Sequence, residues 1–449
     1  MSNIYLETYG CQMNFADSEI VASILQKAGH TVVNDVEQAD YILINTCAIR
    51  DNAEQRIRKR LHDLRALQQR HRQLRIGILG CMAERLQSQL MVEEENVSFV
   101  VGPDAYRQLP EILEQVRQQG VKAAETELST TETYADIEPV RVASNGISAY
   151  ISIMRGCQNY CAYCVVPYTR GRERSRNPET IVAEARSLFD QGYKEVTLLG
   201  QNVNSYRFGD SDSDEVDFPE LMHRVAEISP RLRVRFATSH PKDLSDRLLQ
   251  VMASHSNICK CIHLPVQSGS DRMLKLMNRQ YDSAWYLDRI AAIRHYLPDC
   301  SITTDVIAGF CTETEEDHQK TLDIFRKVRY DYAYMFKFSM RPDTYAAKHL
   351  TDDVPDAEKT RRLEEIIALQ GQIALENNRL EVGKTFEVLV EGESHRSKEQ
   401  LFGRNSQNKV IVFDRHSIQP GDYVHVRVTD CTAATLKGEV IDGNLPCGQ

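Results

Sequence analysis

The sequence predicts an α/β chain in three parts: an N-terminal parallel-sheet α/β domain, a central partial (β/α)6 barrel, and a C-terminal small all-β barrel. Three observations predict it. Short apolar runs alternate with helical patterns in two separate series. A Thr/Glu-rich stretch with neither period, "ETELSTTETYADIEPVRVASNG", separates the two series. Beyond a long helical pattern over Asp356–Leu380, period-two alternation with Gly-containing turns takes over. The expected boundaries are 1–120, a linker over 121–145, 146–378 and 379–449, and 449 residues suffice for a separate core in each.

In the first series "IYLETYGC", "YILINTC" and "RIGILGC" are short β-favouring runs, each closed by a small or polar turn and a cysteine: Cys11, Cys47 and Cys81. Each leads into a helical pattern, which implies a parallel sheet with crossover helices. Ligands collect beyond the carboxyl ends of such strands, so three thiols distant in sequence are expected to converge on one edge and share a ligand. A buried small hydrophobe at a strand end is the plainer reading of any one of them.

The second series has the candidate strands "SAYISIMRG", "EVTLLGQN", "RVRFATSHP", "CIHLPVQSGS", "SITTDVIAGF" and "YAYMFKFSMR". Six strands with crossovers suggest a barrel open on one side, with its site at the strands' carboxyl ends. The last part, "KTFEVLVEG", "LFGRN", "KVIVFD", "DYVHVRVTD" and "LKGEVI", reads as a barrel of the oligonucleotide-binding type.

Bulk properties narrow the classes. No apolar run reaches the length of a membrane span, and "MSNIYLETYGC" reads as a strand, not a secretory leader. A cytoplasmic protein is expected, and its twelve cysteines point to metal or catalytic roles before disulfides. A net charge of −10 argues against indiscriminate nucleic-acid binding. The charge is segregated, however: Gly209–Glu220 holds six acids and no base, while Arg56–Arg75 holds eight Lys/Arg against one Asp. The latter reads as an exposed basic helix.

The chemistry concentrates in "MRGCQNYCAYCVVPYTRGRERSR". Cys157, Cys161 and Cys164 form C-x3-C-x2-C just after the first strand of the second series. A structural zinc wants four protein ligands and a catalytic three-ligand zinc usually includes His, which this loop lacks. An iron–sulfur cubane takes thiolates, and three of them leave one iron open to chelate a substrate and pass it an electron.

This spacing resembles the signature of the radical S-adenosylmethionine (SAM) superfamily. With "TYGCQMN", "NTC", "GILGC", "GQNVNSY", "LPVQSGS" and the terminal β module, the likeness extends over nearly the whole chain to the methylthiotransferase family. The resemblance implies a radical SAM barrel, a C-terminal TRAM domain that binds RNA, SAM, and two 4Fe–4S clusters. One cluster would sit on Cys157, Cys161 and Cys164, which would carry the catalysis, and the auxiliary one on Cys11, Cys47 and Cys81. "VVPYTRGRERSR" and "GQNVNSY" look most like the branch that methylthiolates C2 of N(6)-isopentenyladenosine at position 37, next to the anticodon of tRNA. Two departures stand out: "FCTET" (Phe310–Thr314) where the family shows Phe-Pro-Gly-Glu-Thr, and "RPDT" (Arg341–Thr344) where it shows Arg-Pro-Gly-Thr.

The resemblance also places Tyr163 near the SAM adenine and Gln201 and Asn202 near its amino group. Ser239, Gln267, Ser268 and Asp305 are read as ending later strands, within reach of carboxylate or ribose; an ordinary turn polar group is the alternative at each. Arg170, Arg172, Arg174 and Arg176 suit bidentate phosphate contact. In the terminal module, nine bases against ten acids leave only Arg396, Lys398, Arg404 and Lys409 as a basic strip for RNA. Cys259, Cys261, Cys300, Cys311, Cys431 and Cys447, the scattered His, Trp285 and the Tyr residues are read as structural. Expected partners are a tRNA anticodon stem-loop carrying isopentenyladenosine and an electron donor of flavodoxin or ferredoxin type. The chain is expected to act as a monomer, with no membrane. The rival readings are a sister methylthiotransferase acting on threonylcarbamoyladenosine in tRNA or on a ribosomal-protein aspartate, and a non-catalytic iron–sulfur RNA-binding protein.

Overall fold

The first sheet is six-stranded, parallel, and ordered β2-β1-β3-β4-β5-β6. Its strands are β1 (Asn3–Tyr9), β2 (Thr31–Val33), β3 (Tyr41–Thr46), β4 (Arg75–Gly80), β5 (Phe99–Val101) and β6 (Ala123–Glu125). The computed structural model describes residues 1–47, 51–120, 122–142, 145–209, 215–394 and 396–441. Helices α1 (Gln12–Lys27), α2 (Asp51–Arg70), α3 (Cys81–Glu93) and α4 (Leu109–Gln119) cover the sheet. Ile4, Leu43 and Leu79 face α1 and α4, while Ile42, Ile44, Ile76 and Ile78 face α2 and α3. Burial on both faces explains why the central β3, YILINT, is apolar without alternation.

The expected linker is not a free tether. β6 within it pairs with β5, and Tyr134 and Ile137 are buried in the first domain's core. Tyr134 stacks on Tyr106 with ring centroids 5.8 Å apart, and its hydroxyl donates to the Pro103 carbonyl at 3.0 Å. Two buried side chains and a strand pairing outweigh the polar, aperiodic character that suggested a linker.

The central domain holds β7 (Ser148–Ser152), the two-residue strands β8 (Met154–Arg155) and β9 (Arg174–Ser175), β10 (Glu195–Leu199) and a small ribbon β11–β12 (Arg207–Phe208, Val216–Asp217). β13 (Arg233–Ala237), β14 (Cys261–His263), β15 (Ser301–Ala308) and β16 (Tyr332–Lys337) complete it. Two parallel sheets, β13-β10-β7 and β14-β15-β16, are joined by a single parallel bridge, Val234 to Ile258. They form the two halves of an open barrel. The apolar positions, such as Val196, Leu198, Ile262, Ile302 and Val306, pack outward into the large core shared with the helices. Register therefore turns the polar set inward: Tyr150, Thr197 and Arg235 in one row, His263 and Thr303 in another, Asp305 beside Tyr334.

The last domain is a closed barrel, β17-β18-β19-β21-β20, of β17 (Thr385–Ser394), β18 (Ser397–Arg404), β19 (Val410–Asp414), β20 (Tyr423–Cys431) and β21 (Leu436–Val440). It seals the end of the open barrel at which its strands begin. Arg233 donates to the Arg404 carbonyl at 2.8 Å, and Arg235 donates to the Asn405 carbonyl at 2.8 Å while pairing with Glu195 at 2.7 Å. Among the described residues no helix is long and apolar enough to cross a membrane. Cys447 lies outside the described residues, as does part of the acidic stretch Gly209–Glu220.

Candidate active site

The first thiol group is built by register. β1, β3 and β4 are neighbours, and Tyr9, Thr46 and Gly80 lie side by side at their ends. Cys47 and Cys81 follow directly and Cys11 one residue later, so strand spacing sets them in a row roughly 10 Å long. Gly10 has φ +136°, and a Cβ there would come within 2.6 Å of the Cys47 Cβ, so the turn before Cys11 requires glycine. Asn14, fully buried on α1, donates to Asn45 Oδ1 and to the Thr46 carbonyl, both at 3.1 Å, and its Oδ1 lies 3.3 Å from Cys11 Sγ. A hydrogen bond with Cys47 is the foremost cause that pulls the Cys11 thiol down to about 6, against burial and with help from Arg170. Burial pushes the Cys81 thiol up, and Arg170 opposes the shift.

The second group lies on the loop between β8 and β9, which pair antiparallel and pinch its base. Gly156 has φ +81°, and a Cβ there would collide with the Arg172 carbonyl. Cys157 N donates to the Gly171 carbonyl at 3.1 Å, and Cys164 N to the Cys161 carbonyl at 2.9 Å. Arg279, itself buried, donates to Cys161 Sγ at 3.2 Å, to Tyr163 Oη at 3.4 Å and to the Pro265 carbonyl at 3.1 Å. Burial pushes the Cys157 thiol up to about 11 and Cys164 higher still. Cys157 and Cys164, whose thiols burial pushes up, and the buried Cys161 between them fit a cationic iron centre, which stabilises the thiolates that solvent is not there to stabilise.

The two groups are tied by buried charge. Arg170, from the loop bearing Cys157–Cys164, donates through Nε to Cys81 Sγ at 3.2 Å and pairs with Asp17 of α1 at 2.8 Å. Asp17 also pairs with Arg155 at 2.7 Å, and Asp104 pairs with Arg174 at 2.9 Å. Burial alone would raise the Asp17 carboxyl, but Arg155 and Arg170 more than reverse this and hold it below its ordinary value. Met13 and Ala16 of α1 pack on Leu199 and Tyr150, which places the helix that follows Cys11 over the barrel's inner face.

This geometry corrects the expected phosphate-facing arginine row. Arg170, Arg174 and Arg176 are buried, and Arg176 pairs with Glu184 at 2.5 Å; only Arg172 is exposed. A domain interface consumes the charges that an isolated loop would offer to solvent. Much of the basic helix α2 is likewise paired, with Arg58 and Arg65 on Glu94 and Arg60 on Glu7. In the terminal barrel, Arg396 and Lys398 are exposed, Arg404 pairs with Glu391 at 3.2 Å, and Lys409 turns inward to Asp331 at 3.0 Å and Glu381 at 3.2 Å. Lys409 thus joins domains and does not belong to an open strip.

At the rim, Gln201 Oε1, Asn202 Oδ1, Ser239 Oγ and His240 Nε2 are buried without a hydrogen-bond partner among the described residues. Two amide acceptors and two donors fit the ammonium and carboxylate of an amino-acid ligand such as SAM. His240 Nδ1 accepts from Lys242 N at 3.4 Å, which leaves the proton on Nε2. Burial, then Arg279 and Lys242, push this imidazole down to about 2, so it stays neutral. Tyr163 packs edge-on against Phe310 at 6.3 Å. Gln267 sits at φ +66°, bridged to Val306, and Ser268 Oγ is 3.3 Å from Thr321 Oγ1. Asp305 lies mid-strand in β15 and not at its end, with Oδ1 3.5 Å from His263 Nε2. Arg279, His240 and Asp17 escaped sequence reasoning, because each matters only through a partner more than a hundred residues away or through burial.

Three family models match the chain: an uncharacterized protein family, UPF0004, over residues 3–102, the radical SAM superfamily over 151–325, and the TRAM domain over 379–441. A Phocaeicola vulgatus protein named tRNA-2-methylthio-N(6)-dimethylallyladenosine synthase is 58% identical over 98% of this chain and 96% of its own. The chain belongs to the methylthiotransferase family of radical SAM enzymes. Similarly named proteins of Bacteroides fragilis and Chloroherpeton thalassium are 56% and 54% identical, each over 98% of this chain and over 95% and 96% of their own lengths. Membership makes the chain an enzyme of the methylthiotransferase type and brings with it SAM and a 4Fe–4S cluster. Among solved structures, the radical SAM methyltransferase TsrM from Kitasatospora setae superposes with a TM-score of 0.58 at 14% identity, covering 77% of both chains. That likeness concerns the fold.

Proposed function

We propose that this chain adds a methylthio group to C2 of N(6)-isopentenyladenosine at position 37, beside the anticodon of tRNA. Relatives 53–58% identical over 98% of the chain bear the matching name. The observation that carries the reading is the Arg170 contact of 3.2 Å with Cys81 Sγ, which holds the Cys157–Cys164 loop against the other thiol row. The reaction needs a radical source and a sulfur source near one substrate, and this contact supports that proximity.

Cys157, Cys161 and Cys164 would hold the radical cluster, and Cys11, Cys47 and Cys81 a second 4Fe–4S cluster. When bound, these supply, with SAM, a carbon-centred radical able to take an aromatic hydrogen and the sulfur that replaces it. The chain's own residues orient and shield. Arg279 fixes Cys161 and the Tyr163 hydroxyl. Gln201 and Asn202 offer acceptors to the SAM ammonium, and Ser239 and His240 offer donors to its carboxylate. Exposed Arg172, Arg396 and Lys398 are the cations that reach RNA phosphates. An electron donor of flavodoxin or ferredoxin type, a single working chain in the cytoplasm, and boundaries at 146 and 379 between the three domains complete the proposal.

The test is anaerobic reconstitution followed by incubation with dithionite, SAM and isopentenylated tRNA. The expected result is 5′-deoxyadenosine together with the 2-methylthio nucleoside. Cys157→Ala should abolish both products, while Cys47→Ala should keep some SAM cleavage and lose the modified nucleoside. 5′-Deoxyadenosine without modified nucleoside from the unaltered chain overturns the substrate; neither product overturns the radical reading.

A further inference from the structure

The exposed inner face of β14–β15–β16 carries aromatic side chains that no packing explains. Tyr332 and Tyr334 are 50% and 48% exposed on a strand whose alternate residue, Ala333, is buried in the core. The rings meet edge-on with centroids 5.0 Å apart, and Tyr334 meets His263 at 5.8 Å. β16 ends the sheet, so this face opens sideways as well as into the barrel.

The polar groups beside the rings are equally specific. His263 Nδ1 lies 2.9 Å from Thr303 Oγ1, and its Nε2 lies 3.5 Å from Asp305 Oδ1, which pins the imidazole. Asp305 is opposite Tyr334 in register. Among the described residues the Asp305 carboxylate meets only this imidazole and no Lys or Arg. A carboxylate not ion-paired to a Lys or Arg repels phosphate and accepts from an N–H donor. A planar apolar ligand with an N–H on its edge satisfies both the rings and the acid.

Position ties the face to the reaction. Phe338 follows β16 and packs at 4.8 Å on Phe310, which in turn meets Tyr163 beside Cys164. Four residues of strand at about 3.3 Å each separate Tyr334 from Phe338, roughly 13 Å along the barrel wall. A base lying on Tyr334 would therefore sit below the Cys157–Cys164 loop, on the wall that leads to it.

We propose that Tyr334, Tyr332, His263 and Asp305 form a nucleobase subsite, in which the base at the target position of the RNA loop stacks on Tyr334 and gives an edge N–H to Asp305. This rests on the RNA-modifying function proposed above. Its recognition chemistry is stacking and base-edge hydrogen bonding, distinct from phosphate contact on the outer surface.

The experiment uses reconstituted full-length protein and a fluorescently labelled anticodon stem-loop, either with isopentenyladenosine or with an abasic site at the target position. Anisotropy gives the affinity for each. Tyr334→Leu, which keeps bulk but loses the π face, should weaken binding of the base-containing RNA by about 5- to 150-fold, the usual span for a stacked base. It should leave the abasic RNA within twofold, and Tyr334→Phe should bind both RNAs as the unaltered protein does. Thermal melting of each variant checks the fold, and Asp305→Asn supplies a second variant that should weaken only the base-containing RNA. Equal affinity of the Leu variant and the unaltered protein for the base-containing RNA, while the latter modifies it, overturns this subsite alone. Equal losses on both RNAs, or a loss of SAM affinity instead of RNA affinity, also overturn it. Failure of the unaltered protein to bind or modify the RNA overturns the subsite and the proposed function together.

Discussion

Replacing Asp17 with Asn should loosen the joint between the first domain and the barrel. Asp17 is fully buried and accepts from Arg155 at 2.7 Å and Arg170 at 2.8 Å, guanidinium groups that are 1% and 3% exposed. In the native interface two carboxylates, Asp17 and Asp104, face three guanidinium groups, Arg155, Arg170 and Arg174. The excess positive charge points, through Arg170, at Cys81. Neutralising Asp17 doubles that excess, because one carboxylate then faces three cations. Removing one partner of a buried pair costs about 3–5 kcal/mol, since the remaining charge is neither solvated nor matched. At about 2–4 °C per kcal/mol for a domain of this size, the first domain and barrel should melt roughly 6–20 °C lower. The assay is thermal and urea unfolding followed by circular dichroism, with limited proteolysis to show whether the joint opens before either domain unfolds. A loss below about 1 kcal/mol would refute the reasoning, because it would mean that water reaches these groups.

Glu84 supplies a pH test: it is 5% exposed, its Oε2 has no hydrogen-bond partner among the described residues, and burial followed by Asp104 pushes it up to about 8. Its protonated form favours the fold, so its contribution is full below the ordinary value of 4.5 and is lost as pH rises through about 8. Unfolding free energy should fall between pH 5 and 8 in the unaltered protein and fall less in Glu84→Gln, as urea titrations at each pH would measure. Gly156→Ala should displace the Cys157 loop, and iron content after reconstitution should drop by about half, because one of the two cubane sites proposed above is lost. Asp343 occupies the place of a family glycine at φ +69° with its side chain exposed. The left-handed backbone costs a non-glycine residue about 1–2 kcal/mol, part of which glycine's own entropy returns, so Asp343→Gly should stabilise by roughly 0.5–1 kcal/mol in urea melts.

Asp343 also shows how a departure from the family pattern resolves in three dimensions. Thr312, in the other departure, likewise stands where the family has glycine and keeps a left-handed φ of +63°. Both positions hold the left-handed backbone that glycine adopts most readily, and each turn leads into a helix capped by the following threonine, Thr314 or Thr344. The cap residues fix these turns, and the altered residues bear the strain.

Local pattern sufficed for the three-part α/β architecture, the row of strand-end cysteines and the C-x3-C-x2-C loop. Each depends on periodicity or spacing within a few residues, and backbone geometry enforces both wherever the segment folds. Only the tertiary structure decided which charges face water. Arg170, Arg174 and Arg176 read as an RNA-facing row until the acids that claim them, Asp17, Asp104 and Glu184, are brought across from distant elements. The same limit concealed the inner aromatic face, because alternation along β16 distinguishes two sides of a strand but not which side the helices cover. Burial and pairing are properties of assembled surfaces; a single segment's sequence records what it can offer, and the fold determines what accepts it.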